Sequence, residues 1–445
     1  MTSRIRRRSL PALALLGSFA LVVSACSPGS NGDGDTDGEG ESVTVTFRIW
    51  DDVAAPAYEE SFEAFTEQNP NINVDVEVVP WANYWDRLPQ DISSGTMADI
   101  FWTNTSNFGI YADNGDLIDL SEHIGEDHEE WTESVVELYE RDGSQWGIPQ
   151  LWDSIALFYN VELLDEAGID PEELQWDPSG ADDTFIEAAQ QLTLDGEGRT
   201  ADDENFDSED IDQFGFNAQH DLQGVWLNFL AENGGQFQDE NDQYVFSSPE
   251  GVGAFEYLVD LVNTHHVAPS AADTNPNPDL TRDLFVQGRL AMFQSGPYSL
   301  PHMADADFEW ELAPKLEGPE GRVSVVHGVA AVGNSHTEHT EATVEVMRWL
   351  GSAEGQEPLG TTGAAFPGAV EAQDGYIDYW AEEGVDTQVF VDAAEGQTIP
   401  APLGPRANAG ANEITPIFEE MFAGRIPVED ALDQAQDAAN EAIAE

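Results

Sequence analysis

The sequence predicts an α/β protein of two lobes, each a mostly parallel sheet flanked by helices. Three observations lead there. Strand and helix patterns alternate as βαβαβ from Val43 to Trp102, an order that right-handed crossovers turn into a parallel sheet. The alternation of helix and short strand resumes throughout the second half. The chain has 445 residues and its folded part begins near Val43, which is more chain than one hydrophobic core ordinarily holds together.

The elements follow in order. Val43 to Ile49 alternates and is rich in β-branched residues, a strand. Pro56 to Gln68 places Tyr58, Phe62 and Phe65 at helical spacing, and Asn69-Pro70-Asn71 breaks it. Ile72, Val74, Val76 and Val78 alternate as a second strand. Tyr84 to Ser93 is a helix with Trp85, Leu88 and Ile92 on one face, and Ala98 to Trp102 a third strand. Further on, Asp182 to Leu194, Pro249 to His265 and Asp279 to Gln287 are helical, the last closed by Gly288 as a C-cap. Leu290 to Phe293 is a strand, followed by a Gly296-Pro297 turn. Thr340 to Leu350 and two segments after Asn412 are helices. No transmembrane helix, heptad run or internal repeat is expected.

Ligands of such sheets bind outside the carboxyl ends of the strands. The first strand ends in Trp50-Asp51-Asp52, the second in Pro80-Trp81 and the third in Trp102-Thr103-Asn104. Three tryptophans at equivalent positions, two with carboxylate or amide neighbours, suit a ligand with an apolar face and a polar edge, as a sugar has. A mostly apolar site with a few placed polar groups is the general form of a small-ligand pocket.

Before the fold, Arg4, Arg6, Arg7 and Arg8 precede an apolar run from Pro11 to Val23, which is signal-peptide length and too short to span a bilayer. It ends at Cys26, the only cysteine, so no intramolecular disulfide is expected. Val23-Ser24-Ala25-Cys26 resembles the lipobox of bacterial lipoproteins, which implies a signal peptide over 1–25 and a lipidated cysteine anchoring the chain outside the cell. Residues 27–42 hold no apolar side chain large enough to pack and form, with Cys26, a flexible acidic tether over 26–42.

The charge balance is 15 Lys and Arg against 87 Asp and Glu, a formal net charge of −72. Binding of nucleic acid is excluded, since nothing could neutralise phosphates. The acids are spread along the whole chain and Lys315 is the only lysine, the pattern of a surface adapted to high salt. Self-repulsion must then be screened by ions. Melting temperature is expected to rise strongly between dilute buffer and molar salt; a flat response in a salt series would sink the halophilic reading.

Several stretches carry a resemblance. They are Gly95-Thr96-Met97-Ala98-Asp99-Ile100-Phe101, Gly115-Asp116-Leu117-Ile118-Asp119-Leu120, Trp146-Gly147-Ile148-Pro149, Leu157-Phe158-Tyr159-Asn160 and Ala167-Gly168-Ile169. Most specific is Phe285-Val286-Gln287-Gly288-Arg289-Leu290-Ala291-Met292, followed by Gly296-Pro297-Tyr298. In order and spacing the chain resembles family 1 extracellular solute-binding proteins, the maltose-binding-protein-like group serving sugar uptake transporters of the ATP-binding-cassette type. It departs from them at Gln175-Trp176-Asp177, where a threonine-tryptophan-acid motif is usual, and in an acidic insertion before Thr184.

The resemblance implies a periplasmic-binding-protein type II fold that closes on its ligand in a cleft between the lobes, a membrane permease as partner, and a monomer. It implies crossings between lobes near residues 153–158, 288–292 and 325–329, with lobe one at 43–154 plus 291–326 and lobe two at 155–290 plus 327–445. Carried over residue by residue, it places Trp50, Asp51, Trp102, Asn104, Trp152, Asp153, Ser295, Gly296, Tyr298, His327 and Gly328 on the cleft. Trp81, Tyr84, Trp226, Phe366 and Arg406 are further candidates. Trp131, Trp310, Trp349 and Trp380 read as core.

Two alternatives share parts of this pattern. A glycoside-acting enzyme needs two facing carboxylates, but with 87 acids their count carries no information, and no G-x-S-x-G, phosphate loop or H-E-x-x-H is present. Metal binding would need convergent ligands; His336 and His339, His265-His266 and the acidic loop Asp195 to Asp212 are weak candidates, the loop having Arg199 where a calcium ligand is required. No cofactor or resident metal is expected. A polyamine or a metal ion as cargo remains compatible with the fold.

Overall fold

The structure, a computed structural model, describes residues 42–125, 128–404 and 406–444. The apolar leader, Cys26 and the tether up to residue 41 lie outside the described residues. Among the described residues no helix is long and apolar enough to cross a membrane.

The first unit forms as its periodicity dictates. Strand β1 (Val43–Ile49) pairs in parallel with β2 (Ile72–Val78) and β3 (Ile100–Asn104). Val45, Phe47 and Ile49 alternate inward and are fully buried. Helix α1 (Ala55–Gln68) lays Tyr58 and Phe62 against Phe47, with ring centroids 5.0 and 5.8 Å away. Helix α2 (Trp81–Ser94) starts at Trp81 rather than Tyr84, so Trp81 stands on its first turn. β3 begins two residues later than expected. Asp99 ends the approach to it by accepting hydrogen bonds from the Thr46 amide and hydroxyl, both at 2.8 Å.

The sheet is completed by β4 (Ile148–Asp153), β8 (Val323–Gly333) and β9 (Gln397–Pro400). Its order is β9-β8-β3-β1-β2, with β4 also on β8; β8 runs antiparallel to β3 and β4. A second sheet holds β5 (Ala156–Asn160) between β6 (Met292–Ser295) and β7 (Trp310–Ala313).

Two details depart from the sequence reading. The pairings of the second sheet are antiparallel. The expectation also groups 291–326 with the first lobe and sends the chain after 326 into the second. Hydrogen bonding instead puts β6 and β7 beside β5, and β8 stays in the first sheet to Gly333. A four-residue apolar strand says nothing about which neighbour it joins; that is settled by long-range pairing.

The helix expected over 182–194 is shorter, Phe185–Gln191. Asp183 caps its start, accepting from the Ile186 amide at 2.9 Å and from the Tyr257 hydroxyl at 2.6 Å. Thr193 closes its end by donating to the Ala189 carbonyl. The expected helices at 249 and 279 form as Pro249–Asn263 and Leu280–Val286, and Gly288 follows the latter in left-handed conformation at φ 69°.

Candidate functional site

A cavity of ≈ 420 Å³ lies between the two sheets. Its first wall is made by the strand ends. Trp50 leaves β1 into a half-buried position where its ring meets Trp81 at 5.3 Å, Tyr84 at 5.1 Å and Trp102 at 4.9 Å. Trp81 is 52% exposed and Trp102 wholly buried behind it. Asp51 accepts from the Val53 amide at 2.7 Å, which fixes the turn into α1 while its carboxyl lines the cavity.

The floor obeys the two-residue period of strands. Leu151 and Asp153 of β4 line the cavity and Trp152 between them does not; His327 and Val329 of β8 line it and Gly328 does not. Asp153 and His327 are register partners. Ala364, Ala365 and Phe366 close one side.

The opposite wall comes from the second sheet's surroundings. Asp221 and Gln223 stand on a π-helical turn, Leu222–Trp226, that Asp221 caps through the Gly224 amide at 2.8 Å. Pro297 and Tyr298 follow β6. A side chain at Gly296 would come within 2.3 Å of the Tyr298 ring, so glycine there lets the ring fold back. Tyr298 is 42% exposed.

Of the residues expected at the cleft, the structure brings together Trp50, Asp51, Trp81, Trp102, Asp153, Tyr298, His327 and Phe366. The others lie elsewhere. Tyr84 is buried and donates to the Trp102 carbonyl at 2.7 Å. Asn104 accepts from Asn107 at 2.7 Å. Trp152 packs on Phe366 at 4.7 Å. Trp226 is buried in a hydrophobic core with Phe237, Phe255 and Phe418. Ser295 shares a hydrogen bond with Ser299. Gly328 faces Val135, and Arg406 precedes the helix Ala407–Phe422, off the lining. Asp221 and Gln223 carry no periodic signal; a π turn is not legible in a hydrophobic pattern.

The electrostatics are one-sided. Burial pushes the Asp153 carboxyl up to about 7, with the nearby Asp51 charge adding to it and Gln223 opposing. Burial likewise raises Asp51 and Asp221. It pushes His327 down to about 4, so that ring is neutral at pH 7. No lysine or arginine lines the cavity.

These shifts have a consequence for stability. Between pH 3.8 and 7 the folded protein keeps a proton on Asp153 that the unfolded chain releases, so stability from this site falls as pH rises through that window. Asp153→Asn removes the buried charge. The ligand-free variant is expected to be more stable than the parent at pH 8, on the order of 2 kcal/mol, with the gap closing towards pH 4. Paired melting curves at the two pH values check this; a gap independent of pH would show that Asp153 carries no burial strain.

Among the described residues no group of three or more His, Cys, Asp or Glu side chains is placed to hold a metal ion. His336 meets Asp116 at 3.0 Å. In the acidic loop, Asp195 accepts from the Arg199 guanidinium at 2.7 Å and from the amides of Glu197, Arg199 and Asp207. That arginine neutralises the carboxylate a cation would need.

Residues 51–357 match the family described as Bacterial extracellular solute-binding protein. The crystal structure of UspC from M. tuberculosis is 44% identical, covers 90% of this chain and 100% of its own, and superposes with a TM-score of 0.74. The ABC substrate-binding protein Lmo0181 from Listeria monocytogenes, solved in complex with cycloalternan, shares the fold at 22% identity, a TM-score of 0.78, and coverage of 91% and 100%. The arabinooligosaccharide-binding protein of Halalkalibacterium halodurans is 22% identical over 66% of this chain and 63% of that protein. The chain thus spans somewhat less than two thirds of that relative's length.

Proposed function

The chain belongs to the bacterial extracellular solute-binding proteins, and we propose that within this family of binding proteins it captures a carbohydrate outside the cell and delivers it to the permease of an ATP-binding-cassette importer. The observation that carries the reading is the cavity itself. Indole faces of Trp50, Trp81 and Trp102 stand beside the carboxylates of Asp51 and Asp153, a surface that takes the C–H face of a sugar and accepts from its hydroxyls. The oligosaccharide named for the halodurans relative and the cycloalternan held by Lmo0181 support a saccharide here.

Capture proceeds by closure. The chain passes between the sheets at Asp153–Ala156, from β4 to β5, and returns between Ala313 and Val323, from β7 to β8. A few backbone residues at these crossings suffice as a hinge. A ligand touching both walls gains its full contact only in the closed form, so its binding free energy shifts the population to closure. The lobes then follow the sheets rather than the boundaries expected from sequence. Lipid on Cys26 would tether the protein to the outer face of the membrane; mass spectrometry of the mature N-terminus tests that.

A saccharide that binds only the folded protein must raise its melting temperature, by the equivalent of about 2.7 kcal/mol at a hundredfold excess over Kd. A thermal-shift screen of mono- and oligosaccharides in high salt is expected to find at least one that does, with a change in tryptophan emission as the rings are covered. Silence from every saccharide would overturn the substrate class.

A further inference from the structure

A neutral saccharide does not account for the charge of this cavity. Three segments of its lining each contribute a carboxylate, Asp51 from the end of β1, Asp153 from the end of β4 and Asp221 from the opposite wall. No lysine or arginine on the lining answers them, and the exposed His302, off the lining, is the basic group that acts on Asp51. None of the three is in an ion pair among the described residues, and several of the cations are committed elsewhere. Arg48 pairs with Glu77 at 2.9 Å and Asp91 at 2.7 Å, Arg199 with Asp195, and Lys315 with Glu232. The one basic side chain on the lining, His327, is neutral, and its Nδ1 has no hydrogen-bond partner.

Closing two walls over these acids removes water from them. Asp153 is already only 8% exposed. A neutral ligand supplies hydroxyl donors but no charge, and a desolvated carboxylate without a counter-charge is costly. The rings point the same way. Trp81 and Tyr298 are among the few large aromatic side chains left uncovered, at 52% and 42%, and they stand on opposite walls. An aromatic face attracts a cation as well as a C–H surface, and more strongly once water is excluded. A bare metal ion does not fit this description. The carboxylates do not converge into a group of ligands, and the cavity of ≈ 420 Å³ is far larger than an ion.

We infer that the ligand carries an ammonium group, held in the cavity by the negative field of Asp51, Asp153 and Asp221 and by the uncovered rings of Trp81 and Tyr298, without being ligated by all three carboxylates at once. This deepens the carbohydrate reading, on which it rests, to an amine-bearing saccharide.

The test is a matched titration, followed by tryptophan emission and calorimetry at pH 8 in molar salt, where surface charge is screened but an enclosed site is not. The probes are glucosamine, galactosamine and mannosamine, each against its parent neutral sugar, with choline and spermidine alongside. An ammonium-bearing probe is expected to bind at least about tenfold tighter than its neutral counterpart. Asp153→Asn and Asp221→Asn should each reduce that preference to about threefold or less, read as the ratio of the amine to the neutral-sugar affinity within each variant, so that a loss common to both ligands cancels. Melting curves of both variants establish that they are folded. If neutral sugars bind as well as their amines, the inference fails and the carbohydrate function stands. If choline or spermidine binds and no saccharide does, the charge inference stands and the carbohydrate reading falls. If no ammonium-bearing probe is preferred, the inference is overturned whatever the other probes do.

Discussion

Replacing Trp50 by alanine is expected to weaken ligand binding about a hundredfold and to destabilise the fold by about 3 kcal/mol. The two losses have one origin. The Trp50 ring is the hub of the aromatic wall, within 5.3 Å of Trp81, Tyr84, Trp85 and Trp102. Truncating it removes a ligand surface and leaves a hole bounded by four rings that cannot all collapse inward. Trp81→Ala separates the effects. That ring is 52% exposed, so its loss should cost about thirtyfold in affinity but well under 1 kcal/mol in stability. Urea unfolding reads the second quantity and fluorescence titration the first. Normal affinity in Trp81→Ala would remove the aromatic wall from the binding site.

Removing the Glu232 carboxylate, as Glu232→Leu, should destabilise the protein by about 3–5 kcal/mol, the largest effect on stability expected from a single charged residue here. Glu232 is 1% and Lys315 2% exposed, and they pair directly beneath the first residue of β8. Glu232 also accepts from the Trp176 indole N–H at 2.9 Å. Burial pushes Glu232 up and Lys315 down, each partly offset by the charge of the other. Without Glu232, the chain's only lysine is a buried cation with no partner. The double variant Glu232→Leu with Lys315→Met has no charge to strand and should recover most of the loss. Urea is the denaturant for this comparison, because guanidinium would add salt to a protein of net charge −72 and confound the measurement. A double variant as unstable as the single one would show that packing, and not the stranded charge, sets the cost.

The pair also shows the limit of reading charge from composition. Lys315 is visible in the sequence as a lone lysine, but nothing local marks it as buried. Its partner is 83 residues away, and the motif residue Trp176 that completes the group is 56 from Glu232.

The sequence by itself determined the α/β alternation, the first three strands and their helices, and the tryptophans at the three strand ends. These are local facts. Burial of one face imposes a period of two or 3.6 on the residues that form it, and a strand end follows from where that period stops. Trp50, Trp81 and Trp102 were therefore legible as a group, as was Gly288 as a helix stop. Only the tertiary structure decided which sheet β6, β7 and β8 join, which of Trp152 and Asp153, or of His327 and Gly328, faces the cavity, and that Trp226 packs in the core while Tyr298 is left uncovered. It alone brought Asp221 and Gln223 to the opposite wall. The physical reason is the same in each case. A cavity between two sheets is made of residues drawn from distant parts of the chain, as Asp153 and His327 are, and their burial depends on pairing and closure that no local period encodes.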